Sequence, residues 1–244
     1  MDYLLDSHTH TLASGHAYNT IYEMAQDAAG KGLKLLGITE HAKEMPGTCH
    51  EIYFMNLKVL PRQLFGIEVM FGVEANIMDY DGRVDMEQWL LKKMDVVVAS
   101  LHTPCIEPGS RSENTQALLK AMENPFVNII GHPDDGRYPV DYDALAVAAK
   151  ERHVLLELNN HSLDPAGSRE NAWENDREML KYCKKYGTSI ILDSDAHCAA
   201  DVGNHSFSEQ LLAELDFPEE LVVNRSVEEY RTYINRFSGK KEDA

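Results

Sequence analysis

The chain reads as short apolar runs separated by amphipathic stretches. Seven runs, at residues 3–6, 35–39, 69–73, 96–100, 127–131, 154–158 and 189–193, have the length and character of buried strands. Strands apolar on both faces belong to parallel sheets covered by helices. The intervening segments supply those helices. Residues 20–31 set Ile21, Met24, Ala25 and Ala28 on one face, follow a capping Asn19 or Thr20, and stop at Gly32. The spans 114–123, 142–152 and 169–186 behave alike. Seven such repeats without a G-x-G-x-x-G turn predict an α/β, TIM-like barrel rather than a doubly wound sheet. No Ser/Gly-rich linker interrupts them, so a single domain over 1–244 is expected. The helical stretches 206–215 and 227–237 are then a C-terminal helical cap beginning at about residue 206.

Composition narrows the class without naming a function. With 244 residues, 43% hydrophobic and 26% charged, the chain can bury a substantial core, which removes disordered and fibrous readings. Twenty-three basic against 40 acidic residues give a net charge of −17, which disfavours a long nucleic-acid partner. Cys49, Cys105, Cys183 and Cys198 form no C-x-x-C pair and suit a reducing compartment. The amino terminus has no basic n-region and no long apolar run, and nowhere do eighteen apolar residues adjoin. A cytoplasmic protein with no membrane partner is expected, its oligomeric state left open.

The histidines change the picture. Seven of the eleven follow the strand runs, in Asp6-Ser7-His8-Thr9-His10, Glu40-His41, His102, Gly131-His132 and Asp195-Ala196-His197, with His16 just beyond the first group; Glu74 follows the third run. In a parallel barrel all strand carboxyl ends open on one face, so these residues converge. One H-x-H pair is weak evidence on its own. Imidazole or carboxylate after six of seven strands requires a partner, because clustered buried polar groups are costly alone. Imidazole with a minority of carboxylate suits zinc, manganese or iron rather than calcium or magnesium. Nine candidate ligands, His8, His10, His16, His41, Glu74, His102, His132, Asp195 and His197, exceed what one ion takes and imply two or three.

These residues resemble a known family. Asp6-Ser7-His8-Thr9-His10-Thr11, Ala13-Ser14-Gly15-His16-Ala17-Tyr18, Ile38-Thr39-Glu40-His41, Gly72-Val73-Glu74-Ala75-Asn76, Ser100-Leu101-His102, Gly131-His132-Pro133 and Ser194-Asp195-Ala196-His197 look like the PHP (polymerase and histidinol phosphatase) superfamily. The S-x-H-A-Y continuation resembles its stand-alone trinuclear-zinc phosphatase branch. The resemblance implies a distorted (β/α)7 barrel and three divalent metal ions. It sets His8, His10, Glu74 and Asp195 around one metal, Glu74, His102 and His132 around the second, and His16, His41 and His197 around the third. Glu40 stands where many members have aspartate.

Clustered divalent ions acidify a shared water and draw charge from phosphoryl oxygens, which suits hydrolysis of a small phosphate monoester by metal-activated hydroxide. Zinc is the first expectation, with manganese or iron also suited. The alternatives are a histidinol-phosphate phosphatase or nucleotide phosphodiesterase and, in another class, a non-catalytic metal-binding module. Asp195, His197 and Arg111 are the candidate catalytic residues, Arg111 as a phosphate contact beside a helix start, against a solvated loop arginine. Arg137 is comparable. Asn159 and Asn160 are candidates for substrate contact or support, and Asp6 and Asp193 are expected to orient imidazoles. His50, His153 and His205 read as solvated or structural, and His161 has no motif behind it. Asp79-x-Asp81-Gly82 is a turn, and Trp89 and Trp173 are packing residues.

Overall fold

The computed structural model describes residues 3–235. Seven parallel strands form a nearly closed barrel: β1 (Leu5–Asp6), β2 (Leu35–His41), β4 (Ile67–Asn76), β5 (Val97–Ser100), β6 (Ile129–Ile130), β7 (Leu155–Asn159) and β8 (Ile190–Asp193) pair in that order. One addition was not expected. A short β3 (Gln63–Leu64) pairs antiparallel with the start of β4 through a turn at Phe65 and Gly66, whose φ angles are 51° and 85°. Two successive positive φ angles are what a tight hairpin turn demands.

Period-two alternation sorts each strand between two cores. Leu5, Leu35, Met70, Val96, Val98, Ile129, Leu155 and Ile191 fill the barrel interior. Their neighbours Leu36, Phe71, Val97, Ile130, Leu156 and Leu192 face the helical layer. That layer includes α1 (Ile21–Gly30), α4 (Arg111–Ala121), α5 (Tyr142–Arg152) and α6 (Ala172–Tyr186). Two short helices, α2 (Glu51–Asn56) and α3 (Gln88–Leu91), flank β3 and β4 in sequence. Capping boxes at Thr20–Glu23 and Ser110–Glu113 start α1 and α4, so α4 begins three residues before the patterned stretch suggested.

The seam between β8 and β1 is closed mainly by side chains, with one backbone bridge between Thr9 and Ala196 just above the strands. Asp193 accepts the Ser7 N–H at 2.6 Å and the Ser7 hydroxyl at 2.9 Å, while Asp6 accepts the Ser194 N–H and hydroxyl at 3.1 and 2.5 Å. Lower down, Asn224 stands in for ladder bonds. Its Oδ1 accepts Leu192 N–H at 2.8 Å and its Nδ2 donates to Leu192 and Leu5 carbonyls at 2.6 and 3.0 Å. After α7 (Ser206–Glu214), Val223 and, from α8 (Val227–Tyr233) onward, Tyr230, Tyr233 and Ile234 pack with the interior residues. The expected helix end at Phe237 lies outside the described residues.

Candidate metal centre

The polar residues ending each strand turn inward above this apolar floor. Glu74 stands on β4's inward row (Met70, Gly72, Glu74, Asn76), and all but about 1% of its surface is buried. His41 closes β2. His132 and Asp195 follow β6 and β8 with φ of 29° and 53°, a left-handed backbone that non-glycine residues adopt at a cost. That backbone turns both side chains in beside Glu74 and the His8–His10 pair. Gly131 keeps the space clear, because a Cβ there would lie 2.2 Å from Ser100 Oγ.

Glu74 is the hub. Its Oε2 lies 3.3 Å from His8 Nε2, 3.4 Å from His10 Nε2 and 2.7 Å from His41 Nδ1; its Oε1 lies 3.2 and 2.9 Å from the Nε2 atoms of His102 and His132. Asp195 Oδ1 approaches His10 Nε2 at 3.2 Å and His8 Nε2 at 3.7 Å. On the outer side, the exposed ring of His16 stacks at 5.0 Å on His41 and 4.8 Å on His197, and His10 lies 4.5 Å from His197. All nine candidate ligands are therefore brought together.

Three subsets have ligand atoms mutually within 4.8 Å: His8, His10 and Glu74; His41, Glu74 and His102; and His10, His41 and His197. These overlap the sets carried by the family resemblance, with His41 serving two of them. The buried atoms His8 Nε2, His10 Nε2, His41 Nδ1 and Glu74 Oε2 have no hydrogen-bond partner among the described residues although they converge. Ligands about 2.1 Å from a tetrahedral zinc lie roughly 3.4 Å from one another, close to the separations around His8, His10, Glu74 and Asp195. The donor set fits divalent metal.

Neighbouring groups hold the imidazoles in place. The other ring nitrogens of His8, His10 and His102 meet Glu157 Oε1 at 2.6 Å, Ser14 Oγ at 3.1 Å and Asn76 Oδ1 at 2.7 Å. Ser14 donates in turn to Glu40 at 2.6 Å and accepts His41 N–H at 3.1 Å. Glu40 thus supports two candidate ligands through one hydroxyl. Burial opposes charge on Glu74 and Asp195, yet the surrounding imidazoles, and Arg169 beside Asp195, hold both carboxyls well below their ordinary range. Burial, with His41 and His197 close by, pushes His10 well down, toward the neutral form that ligates metal.

Arg111 is not brought to the cluster. It opens α4 with a half-exposed side chain, donates from Nε to the Val140 carbonyl at 2.9 Å, and lies 3.8 Å from Asp141. The guanidinium at the centre is that of Arg169, whose Nη2 meets Asp195 Oδ2 at 3.0 Å and whose Nη1 donates to Asn159 and Ser162 at 3.1 and 3.0 Å. Asp6 and Asp193 make no hydrogen bond to an imidazole among the described residues; both are taken up by the barrel seam, and Glu157 fills the expected orienting role. Asn159 joins Glu157 to Asp195, whereas Asn160 caps α7 by accepting the N–H groups of Phe207 and Ser208.

A cavity of about 390 Å³ opens onto the cluster, with Arg137, His161 and Arg169 in its wall. Size alone does not mark the site. A larger groove of about 740 Å³ along Ile52, Met55 and Val59 has no imidazole or carboxylate in its lining.

Comparison with known proteins agrees with this geometry. The family model described as PHP domain matches residues 6–162. A protein of Clostridium novyi (strain NT), described as "Probable phosphatase", is 44% identical over 243 residues, covering 100% of this chain and 98% of the relative. A "Probable phosphatase" of Caldicellulosiruptor bescii is 46% identical over 239 residues, 98% of each. Among solved structures, the histidinol phosphate phosphatase HISK of Lactococcus lactis, crystallised with zinc, L-histidinol and phosphate, superposes with a TM-score of 0.59 at 17% identity, over 88% of this chain and 95% of that one. The matched span carries the His8–His10 pair, Glu74, His102 and His132 in their strand-end places, and the chain belongs to the PHP domain family.

Proposed function

We propose that the protein is a metal-dependent phosphatase that hydrolyses small phosphate monoesters. The observation that carries this reading is the convergence of His8, His10, His41, Glu74, His102 and Asp195, the first four with buried ring or carboxylate atoms that find no hydrogen-bond partner among the described residues, beside a guanidinium facing the same cavity. The names of its relatives support it. We assign three divalent ions, zinc first, to His8, His10, Glu74 and Asp195, to Glu74, His102 and His132, and to His16, His41 and His197. Bound there, the ions supply Lewis acidity toward phosphoryl oxygens and an acidified water as nucleophile.

The chain's own residues do the rest. Arg169 keeps its Nε–H and one Nη2 hydrogen for the non-bridging oxygens of the ester while Asp195 fixes its plane. Glu157 and Ser14 keep the Nε2 atoms of His8 and His10 turned inward. The cavity's volume and the net charge of −17 favour a small ester over a polynucleotide. Among the described residues no helix is long and apolar enough to cross a membrane. Four unpaired thiols support a cytoplasmic setting for a single barrel domain with a C-terminal cap.

Metal quantitation by plasma emission, paired with p-nitrophenyl phosphate hydrolysis before and after chelation, tests the proposal. About three equivalents of zinc, manganese or iron, with activity lost on chelation and restored by metal, is the expected result. Fully loaded protein that hydrolyses no ester rejects it in favour of a metal-binding module.

A further inference from the structure

Resting on that reading, the charges in the cavity wall bear on what is joined to the reacting phosphate. Among the described residues two carboxylates line the cavity, Asp135 and Asp195, and both are engaged. Arg137 grips Asp135 with Nε at 2.9 and 3.0 Å from its two oxygens and Nη2 at 2.5 Å, while the Arg137 N–H adds a bond at 3.1 Å. Asp195 is held by Arg169 and Asn159 and faces the imidazoles with its other oxygen. Among the described residues no lining carboxylate remains unengaged to receive a substrate ammonium group.

Cationic groups do remain. Arg137 is 30% exposed, and its Nη1 has no protein partner among the described residues. Arg137 and Arg169 lie within electrostatic reach of each other, an arrangement that anions between or beside them relieve. His161 adds an exposed imidazole to the same wall, its ring 6.2 Å from that of His197. With Arg169 and the metal cluster assigned to the reacting phosphate, Arg137 and His161 face the leaving group.

We propose that the substrate is a phosphate monoester whose leaving group carries a second anion, phosphate or carboxylate, received by Arg137 Nη1 with His161 at the rim. Arg137 and His161 are then the residues that set specificity, and amino-alcohol phosphates are disfavoured.

The test compares kcat/KM of metal-replete protein on matched esters. Glycerol 3-phosphate is the neutral reference, 3-phosphoglycerate brings a carboxylate, fructose 1,6-bisphosphate against fructose 6-phosphate brings a phosphate, and L-histidinol phosphate brings an amine. An advantage of about tenfold or more for a second anion is expected, equivalent to one charge-assisted contact. The amine should fall below the neutral ester. In the double variant Arg137→Gln with Asp135→Asn, which leaves no carboxylate unpaired, the advantage should shrink to under about threefold.

Equal rates across the series, a preference for the amine, or an advantage that persists in the double variant would overturn the proposal while leaving the phosphatase reading intact. Hydrolysis of no ester, p-nitrophenyl phosphate included, overturns both. If the double variant does not fold, inhibition of the wild type decides: 3-phosphonopropionate should inhibit about tenfold more tightly than propylphosphonate, and equal inhibition counts against the second-anion site.

Discussion

Glu157 Oε1 lies 2.6 Å from His8 Nδ1, with neither side chain exposed to solvent. Its second oxygen accepts the His132 N–H at 2.6 Å, so one carboxylate orients an imidazole and fixes the strand end that presents another. Burial opposes charge on His8, but Glu157, Glu74 and Asp195 together outweigh it and hold the ring well above its ordinary pKa. Glu157→Gln removes this anion and a good acceptor. Metal affinity should fall by about 10- to 100-fold, as for other supports of metal-bound histidine. Competition with a chromophoric chelator measures it; unchanged affinity would show that Glu157 does not serve the centre.

Ser14→Ala severs Glu40 from both His10 and His41. Leaving buried polar groups short of partners costs about 1–3 kcal/mol. Urea unfolding of the chelated protein should register that loss. Metal titration should show weakened binding as well, whereas a purely structural hydroxyl would shift only the former.

Arg169→Lys keeps a charge but loses the fork that bridges Asp195, Asn159 and Ser162. KM for phosphate esters should rise by about tenfold or more, with phosphate inhibition weakened in parallel. Arg111→Ala, by contrast, should leave both within about twofold, because exposed side chains that touch nothing critical contribute little.

Asp134 and Asp176 are buried with no hydrogen-bond partner for either carboxyl group among the described residues, and Asp176 senses the negative charge of Asp134. Burial raises Asp134 to about 7, against the attraction of Arg169, and lifts Asp176 well above its ordinary value. A carboxyl raised on folding binds more protons folded than unfolded, so its stability contribution is present at low pH and is lost as pH climbs through the folded pKa. Asp176→Asn should therefore melt higher than wild type, by a margin that widens between pH 5 and pH 8. A margin that narrows with rising pH would reverse this assignment.

Asn224→Ala leaves buried backbone groups of Leu192 and Leu5 without a partner at the foot of the seam. Destabilisation of about 2–4 kcal/mol is expected from chemical denaturation. A change below about 0.5 kcal/mol would mean that water replaces the amide.

Strand order and the convergence of imidazoles and carboxylates were legible because both are written in local periodicity. Val96 to Ala99 is apolar on both faces, and each run ends on the residue type that the barrel mouth requires. What supports the cluster was harder to read. Glu157 was visible as a lone carboxylate inside Leu155, Leu156 and Leu158, a signal obscured because no metal ligand was expected at that strand end. Arg169 gave none, for it sits ten residues beyond β7, at the head of a span read as helix, and α6 starts only at Ala172. Asp6 and Asp193 look like orienting carboxylates by position, but β1 and β8 are joined there by side chains, a tertiary fact with no local trace. The β3 hairpin was missed because Phe65 occupies a left-handed position usually marked by glycine or asparagine.

That same seam sets the order in which the protein can become functional during its synthesis. The bonds from Asp6 to Ser194 and from Asp193 to Ser7 span 188 and 186 residues. A nascent chain leaving the ribosome presents His8 and His10 long before Asp195 and His197 exist. Completion of the candidate ligand set is thus deferred until residues 195–197 have been made, and the assembled cluster is a sign that the barrel has closed.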